Sequence, residues 1–269
     1  MPELRLDLRP YPSLEPVRTL LFRQGLQAFV AGGFVRDLLL GRAVKDIDIS
    51  IDANPLEVAR RMADALGGSF VPVSDTTGRE VGRVVLPDAI VDFTQLRGTV
   101  EKDLAQRDYT IDALAVDLSL YPKPPVIDPW DGLSDVSGKR VRALHPRIFE
   151  EDPGRLLRGP RLAAELGFSL EPGTAQRIRE QADLLTRVSA ERLRDELCKL
   201  MASRQAAPYV FLLDDLGLLT HLIPELDESR GVSQPPEHHW DVFRHSLEAV
   251  ARAEALLSKV DELGGMVGA

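Results

Sequence analysis

The stretch Phe29–Ile51, FVAGGFVRDLLLGRAVKDIDISI, constrains the fold more than any other. It reads as a strand, a glycine pair opening a helix, a short turn, and a second strand carrying Asp46 and Asp48. Side chains on a strand alternate between faces, so Asp46 and Asp48 project together while Ile47, Ile49 and Ile51 face the side that can be buried. Two carboxylates on one face repel unless a cation or proton lies between them, and hard cations such as Mg²⁺ favour carboxylate oxygens. Gly32 and Gly33 let the backbone come close to a ligand, and the free N–H groups of the following helix suit phosphate. Arg36, on the first turns of that helix, is a candidate clamp for the same phosphates. A phosphate cradle beside a two-carboxylate metal site is the equipment of phosphoryl or nucleotidyl transfer. Taken singly, each signal has a plainer explanation: a tight turn, a solvated strand face, a surface Arg36–Asp37 pair. Their order within one strand–helix–strand unit carries the inference.

At 269 residues, the chain is long enough for one large domain or two smaller ones. Its 44% apolar and 28% charged residues are ordinary for a globular protein with a real core. The net charge of −9 argues against nucleic-acid binding through overall basicity, though a local basic groove is compatible with it. Cys198 is the sole cysteine, which excludes an intramolecular disulfide and a cysteine-based zinc site and fits a reducing cytoplasm. No apolar run approaches membrane-spanning length and Met1–Pro16 lacks signal-peptide features, so a cytoplasmic protein with no membrane partner is expected.

Helical spacing over Leu14–Gln24 precedes a first strand at Gln27–Val30. Pro55–Leu66 reads as an amphipathic helix with Asn54 as N-cap, ended by Gly67–Gly68. The β-like runs Ser69–Val73, Val81–Leu86 and Ala89–Thr94 follow, so a small mixed sheet with helices on one side is expected. Asp92 interrupts the last of these runs; on its own it reads as the solvent side of an edge strand. Beyond it lie EKDLAQRDYTIDALA (Glu101–Ala115), with Arg107 and Asp108, and a turn-rich segment with Asp128, Asp131 and Gly132. FEEDPGRLLRGPRLAAELGF (Phe149–Phe168) reads as one helix, with Pro172–Leu184, Ser189–Ser203 and Ala206–Ile223 as further helices.

These motifs, in this order, resemble the signature of class II tRNA nucleotidyltransferases and bacterial poly(A) polymerases. The resemblance covers roughly Ala28–Leu200. It implies an α+β chain: a polymerase-β-type nucleotidyltransferase head at 1–145, an all-α neck at 146–235 for base selection and RNA binding, and an incomplete HD-like helical region at 236–269. Asp46 and Asp48 would hold two Mg²⁺ ions. Asp92 would be the third catalytic carboxylate, as a metal ligand or as the group orienting the attacking hydroxyl; the family usually has Glu there. Gly32, Gly33, Arg36, Arg107 and Asp108 would bind the nucleotide, with Arg107 on triphosphate oxygens and Asp108 on a ribose hydroxyl. Gln106 and Asp112 depart from the usual Arg and Asn of that motif. Asp131 and Gly132 would form a hinge, with Asp128 read as a turn former.

Glu-Asp-Pro-x-Arg is the family motif that chooses the incoming base, placing Asp152 and Arg155, with Arg158, among the nucleotide-binding residues. Its chemistry follows from hydrogen bonding. A carboxylate meets the amino group of cytosine or adenine and a guanidinium meets their acceptors, whereas uracil and guanine would turn a carbonyl towards the carboxylate. Gly154 replaces the usual Leu and Gly159-Pro160 the usual Ala-x. Between Lys139 and Arg161, seven basic residues face three acidic ones, enough for a positive groove for an RNA 3′ end or for a solvated helix face. VSAERLRDELCKL, with Ser189 as N-cap and Glu191, Arg192 and Glu196, reads as scaffold. His239, Asp241 and His245 resemble the opening of an HD domain but lack its His-Asp doublet and distal Asp, so a structural reading is expected over an HD phosphohydrolase.

The implied reaction is attack of a tRNA 3′-hydroxyl on the α-phosphate of CTP or ATP. Relatives that complete CCA carry a long flexible loop before the Arg-Asp motif. Here only Gly98–Lys102 intervenes, which resembles the CC-adding branch and implies a separate A-adding enzyme. The alternatives are a full CCA-adding enzyme, a poly(A) polymerase, and an RNA-binding relative with an inactive head.

Overall fold

The computed structural model describes residues 4–74, 80–235 and 237–267; Met1–Glu3, residues 75–79, Pro236 and Gly268–Ala269, among them the last two residues of the HD-like region expected over 236–269, lie outside it. The chain separates into two compact units, Met1–Gly138 and Lys139–Ala269.

The first unit is an α+β layer pair. Its elements are α1 (Leu14–Arg23), β1 (Ala28–Ala31), α2 (Gly33–Leu39), β2 (Asp46–Ile51), α3 (Pro55–Leu66), β3 (Ser69–Ser74), β4 (Glu80–Val85), β5 (Ile90–Gln95), α4 (Val100–Leu104), β6 (Ala115–Asp117), β7 (Val126–Ile127) and α5 (Gly132–Ser137). The described strands form one seven-stranded mixed sheet in the order β3-β4-β5-β2-β1-β6-β7. Only β2 and β5 run parallel; the remaining neighbours are antiparallel.

Alternation along the central strands decides which face is which. Ile47, Ile49, Val84, Val91 and Phe93 are almost fully buried on one face. α3 lies on that side, as its sequence signals require: the Asn54 side chain accepts from the N–H groups of Leu56 and Glu57 at 3.0 Å, and Gly67 closes the helix at φ 69°. A Cβ at Gly82 would lie 2.3 Å from the Pro55 carbonyl oxygen and 2.5 Å from the Ala59 Cβ. The bare backbone at that position therefore lets the helix seat on β4. The opposite face of the same strands carries Asp46, Asp48, Asp92 and Arg83.

The second unit contains β8 (Arg140–Val141), α6 (Ile148–Glu151), α7 (Arg155–Leu166), β9 (Ser169–Leu170), α8 (Pro172–Glu180), α9 (Ala190–Met201), α10 (Ala207–Asp215), α11 (Leu219–Leu222) and α12 (Val242–Val267). It is not purely helical, because β8 and β9 pair in parallel, with Ser169 and Glu171 N–H groups donating to the Lys139 and Val141 carbonyls. The single helix expected over Phe149–Phe168 is two. Pro153 disfavours helical backbone at the residue before it, and Asp152 is extended at φ −146°, ψ 99°, so Asp152 ends α6 and Arg155 opens α7. The helix expected to reach Leu184 stops at Glu180 and gives way to a 3₁₀ turn over Ala182–Arg187. No helix among the described residues is long and apolar enough to cross a membrane.

Candidate active site

Three neighbouring strands place a row of charges at one level of the sheet. Asp48 on β2 is the register partner of Asp92 on β5, and Asp92 is the register partner of Arg83 on β4. Asp46 is exposed and Asp48 half-buried, both on the face turned away from Ile47 and Ile49. The Asp92 carboxylate is gripped by a two-pronged fork: Arg83 Nε donates to Oδ1 at 2.8 Å and Nη2 to Oδ2 at 2.7 Å. The hydrogen bonds to Asp92 are the main cause of the raised Arg83 pKa, and the charges of Asp46 and Asp48 act in the same direction. Arg83 is a charged neighbour of Asp92 that nothing in the sequence pattern singles out. It sits between Gly82 and Val84 in an ordinary strand, and only the pairing register places it beside the acidic residues.

Among the described residues, no three carboxylate, imidazole or thiol side chains close on a single point. Asp46 and Asp48 are the same-face carboxylates of this unit that could hold a metal ion. Two hard oxygen donors on one accessible face suit Mg²⁺, which takes one or two carboxylates and fills its shell with water and substrate phosphate. Asp92 shares the face, but its oxygens are engaged by Arg83.

The glycine turn brings the second motif to this face. Gly32 has φ 80° and ψ −142°, and a Cβ there would stand 2.8 Å from Arg107 Nη1 and 3.5 Å from Asp48 Oδ2. Arg107 thus lies against the turn, on the side where Asp48 also approaches it. Asp108 is buried and its Oδ1 accepts from the Tyr109 N–H at 2.9 Å. Arg36 is placed differently from Arg107. It is 8% exposed, tucked under Gly33, with its guanidinium forked onto Asp37 at 3.0 and 2.9 Å and bonded to Asp112. Asp112, the departure from the family's Asn, is thereby the buried counter-ion of Arg36.

The 3₁₀ turn Thr110–Asp112 that carries this counter-ion is clamped from the far end of the unit. A Cβ on Gly132 would fall 2.3 Å from the Thr110 carbonyl oxygen, and the Thr110 hydroxyl donates to Asp135 at 2.7 Å. Asp131 is left-handed at φ 60°, and Asp128 accepts from the N–H groups of Gly132 and Leu133 at 2.8 and 2.9 Å. Asp131 and Gly132 are anchored inside the first unit, which ends at Gly138. The short Gly98–Lys102 connection is a tied turn: Thr99 caps α4, and buried Asp103 accepts from the Ser50 hydroxyl at 3.0 Å.

In the second unit, Asp152 sits in the break between α6 and α7. Its oxygens each accept from Arg192 Nη2 at 3.0 Å, and Oδ1 accepts from the Gly154 N–H at 3.1 Å. Arg155 is half-buried, with Nη1 3.4 Å from the Ile148 carbonyl oxygen and 3.6 Å from Glu151. Arg158 is exposed on α7. Arg161 ties α7 to α9 through Glu196 at 2.6 Å. Asp241 accepts from the Gly231 and Arg244 N–H groups at 2.8 and 2.7 Å, which lowers its pKa and gives it a capping role at the start of α12.

Residues 28–142 match the family model described as the poly A polymerase head domain, and residues 167–230 match the probable RNA and SrmB-binding site of polymerase A. The chain is 38% identical over 212 residues to the CC-adding tRNA nucleotidyltransferase of Geobacter sulfurreducens, covering 78% of this chain and 48% of that protein. It is 36% identical over 228 residues to the A-adding tRNA nucleotidyltransferase of Deinococcus radiodurans, covering 83% and 51%. The chain thus spans about half the length of these curated relatives. The Thermotoga maritima CCA-adding enzyme complexed with tRNA superposes with a TM-score of 0.73 at 29% identity, over 86% of this chain and 55% of that one. With its head and RNA-binding segments both matched, the chain belongs to the tRNA nucleotidyltransferase and poly(A) polymerase family.

Proposed function

We propose that this chain is a template-independent RNA nucleotidyltransferase that adds CMP to tRNA 3′ ends, the CC of CCA. The observation that carries the reading is the same-face pair Asp46 and Asp48, with Asp92 in register beside it and Arg107 against the Gly32 turn. Mg²⁺ held by Asp46 and Asp48, two ions by resemblance to the family, supplies charge stabilisation for the attacking and leaving oxygens. Arg107 binds triphosphate oxygens, which its forked guanidinium suits. Gly32 keeps the backbone low enough for them to approach, and Asp108 receives the ribose hydroxyl. Asp92, held on Arg83, orients the attacking 3′-hydroxyl. In the second unit Asp152 accepts the amino group of cytosine or adenine, while Arg155 donates to the ring acceptors and Arg158 supplies charge for phosphate.

The tied Gly98–Lys102 turn favours a CC product over CCA, since it leaves no flexible loop between Arg97 and Asp103. A distinct A-adding partner would then complete the end. Incubating the protein with Mg²⁺ and tRNA lacking CCA, with CTP and ATP singly and together, tests both levels. Two C residues and no A are expected. A third nucleotide would make it a CCA-adding enzyme, long A tracts a poly(A) polymerase, and no incorporation at all an RNA-binding relative.

A further inference from the structure

The Arg83–Asp92 fork has a structural oddity. Its arginine side chain is 40% exposed while the Asp92 side chain it grips is 17% exposed, so a solvated guanidinium holds a carboxylate that is mostly enclosed. The pair is built with care. Gly82 fixes β4 under α3, so the next residue along, Arg83, must face the acidic side, and the register sets it directly across from Asp92. Three carboxylates share that face, and Arg83 feels all three charges.

We propose that Arg83 is a positioning residue: its fork holds the Asp92 carboxylate beside the Asp46–Asp48 pair and prevents it from becoming a third metal ligand. This rests on the transferase reading above. Freed of Arg83, Asp92 would be drawn towards the cation bound by its register neighbour Asp48, and the face would gain a full negative charge. The site would then bind divalent ions more tightly but lose the fixed carboxylate needed at the attacking hydroxyl. Arginine suits the task because two parallel N–H groups lock the carboxylate plane, which a lysine point charge does not.

The test measures Mn²⁺ binding to the full chain by electron paramagnetic resonance, alongside CMP incorporation and thermal melting. Arg83→Gln is expected to bind Mn²⁺ about tenfold more tightly, with kcat reduced and the KM for CTP little changed. Adding Asp92→Asn to it removes the extra charge and returns the Mn²⁺ affinity to the wild-type value. Arg83→Lys keeps the charge but not the fork, so its Mn²⁺ affinity stays near wild type while kcat falls. A purely structural Arg83 would lower the melting temperature without tightening Mn²⁺ binding, and that result overturns the proposal. Should Arg83→Gln fail to fold, wild-type kcat in Arg83→Lys overturns it equally. Absence of Mn²⁺ binding to the wild-type protein sinks the transferase reading and this proposal with it; unchanged Mn²⁺ affinity in Arg83→Gln, with wild-type binding intact, sinks this proposal alone.

Discussion

Arg192 lies across the carboxylate of Asp152, with Nη2 3.0 Å from each oxygen, in space that exists because residue 154 is glycine. A Cβ at Gly154 would stand 2.5 Å from that nitrogen. The departure of this chain from the family's usual leucine is thus tied to how Asp152 is held. Removing Arg192 leaves Asp152 held by the Gly154 N–H through one oxygen, with the other released, so Arg192→Ala is expected to reduce the preference for CTP over UTP about tenfold, the scale of one mispositioned polar contact. Gly154→Ala should shift it the same way. Single-turnover incorporation with each nucleotide checks this.

Gly32→Ala forces a side chain onto backbone at φ 80° and drives its methyl group into Arg107. The strain is expected to cost about 1–3 kcal/mol of stability. The displaced guanidinium should raise the KM for CTP more than it lowers kcat. Urea unfolding and steady-state kinetics separate the two effects.

The Arg36 pair with Asp112 is buried on both sides, at 8% and 3% exposure. Arg36→Ala leaves a carboxylate without its counter-ion inside the unit, an outcome that typically costs about 3–5 kcal/mol. Asp112→Asn keeps a neutral acceptor for the guanidinium and should destabilise by less than half as much. Equilibrium denaturation of the two variants ranks them. Equal losses would mean that the pair is not what holds this corner of the site.

Glu171 caps α8, accepting from the N–H groups of Gly173 and Thr174 at 2.9 and 2.7 Å and from the Thr174 hydroxyl at 2.8 Å. Burial pushes its pKa up, but these donors together outweigh it and the net shift is downward. A carboxyl with a depressed folded pKa contributes stability above its unfolded pKa and loses it as pH falls through the folded one. The wild type should therefore lose this contribution on acidification below the usual carboxylate range. Glu171→Gln should be about 1 kcal/mol less stable at neutral pH and converge with wild type at low pH. Melting temperatures across a pH series report both.

What the sequence determined alone was whatever depends on neighbours along the chain. The Asn54 cap, the Gly67 stop, the bounds of α3 and the shared face of Asp46 and Asp48 all follow from local backbone chemistry and strand alternation. The proline that breaks the expected helix at Asp152 was also local, but its effect was hidden by the helical periodicity on either side. Tertiary structure alone decided the pairings between residues far apart: Arg83 with Asp92, Arg36 with Asp112, Arg192 with Asp152. Sheet register and helix docking choose those partners. They depend on the packing of whole elements, and a guanidinium in sequence carries no mark of which carboxylate it will meet.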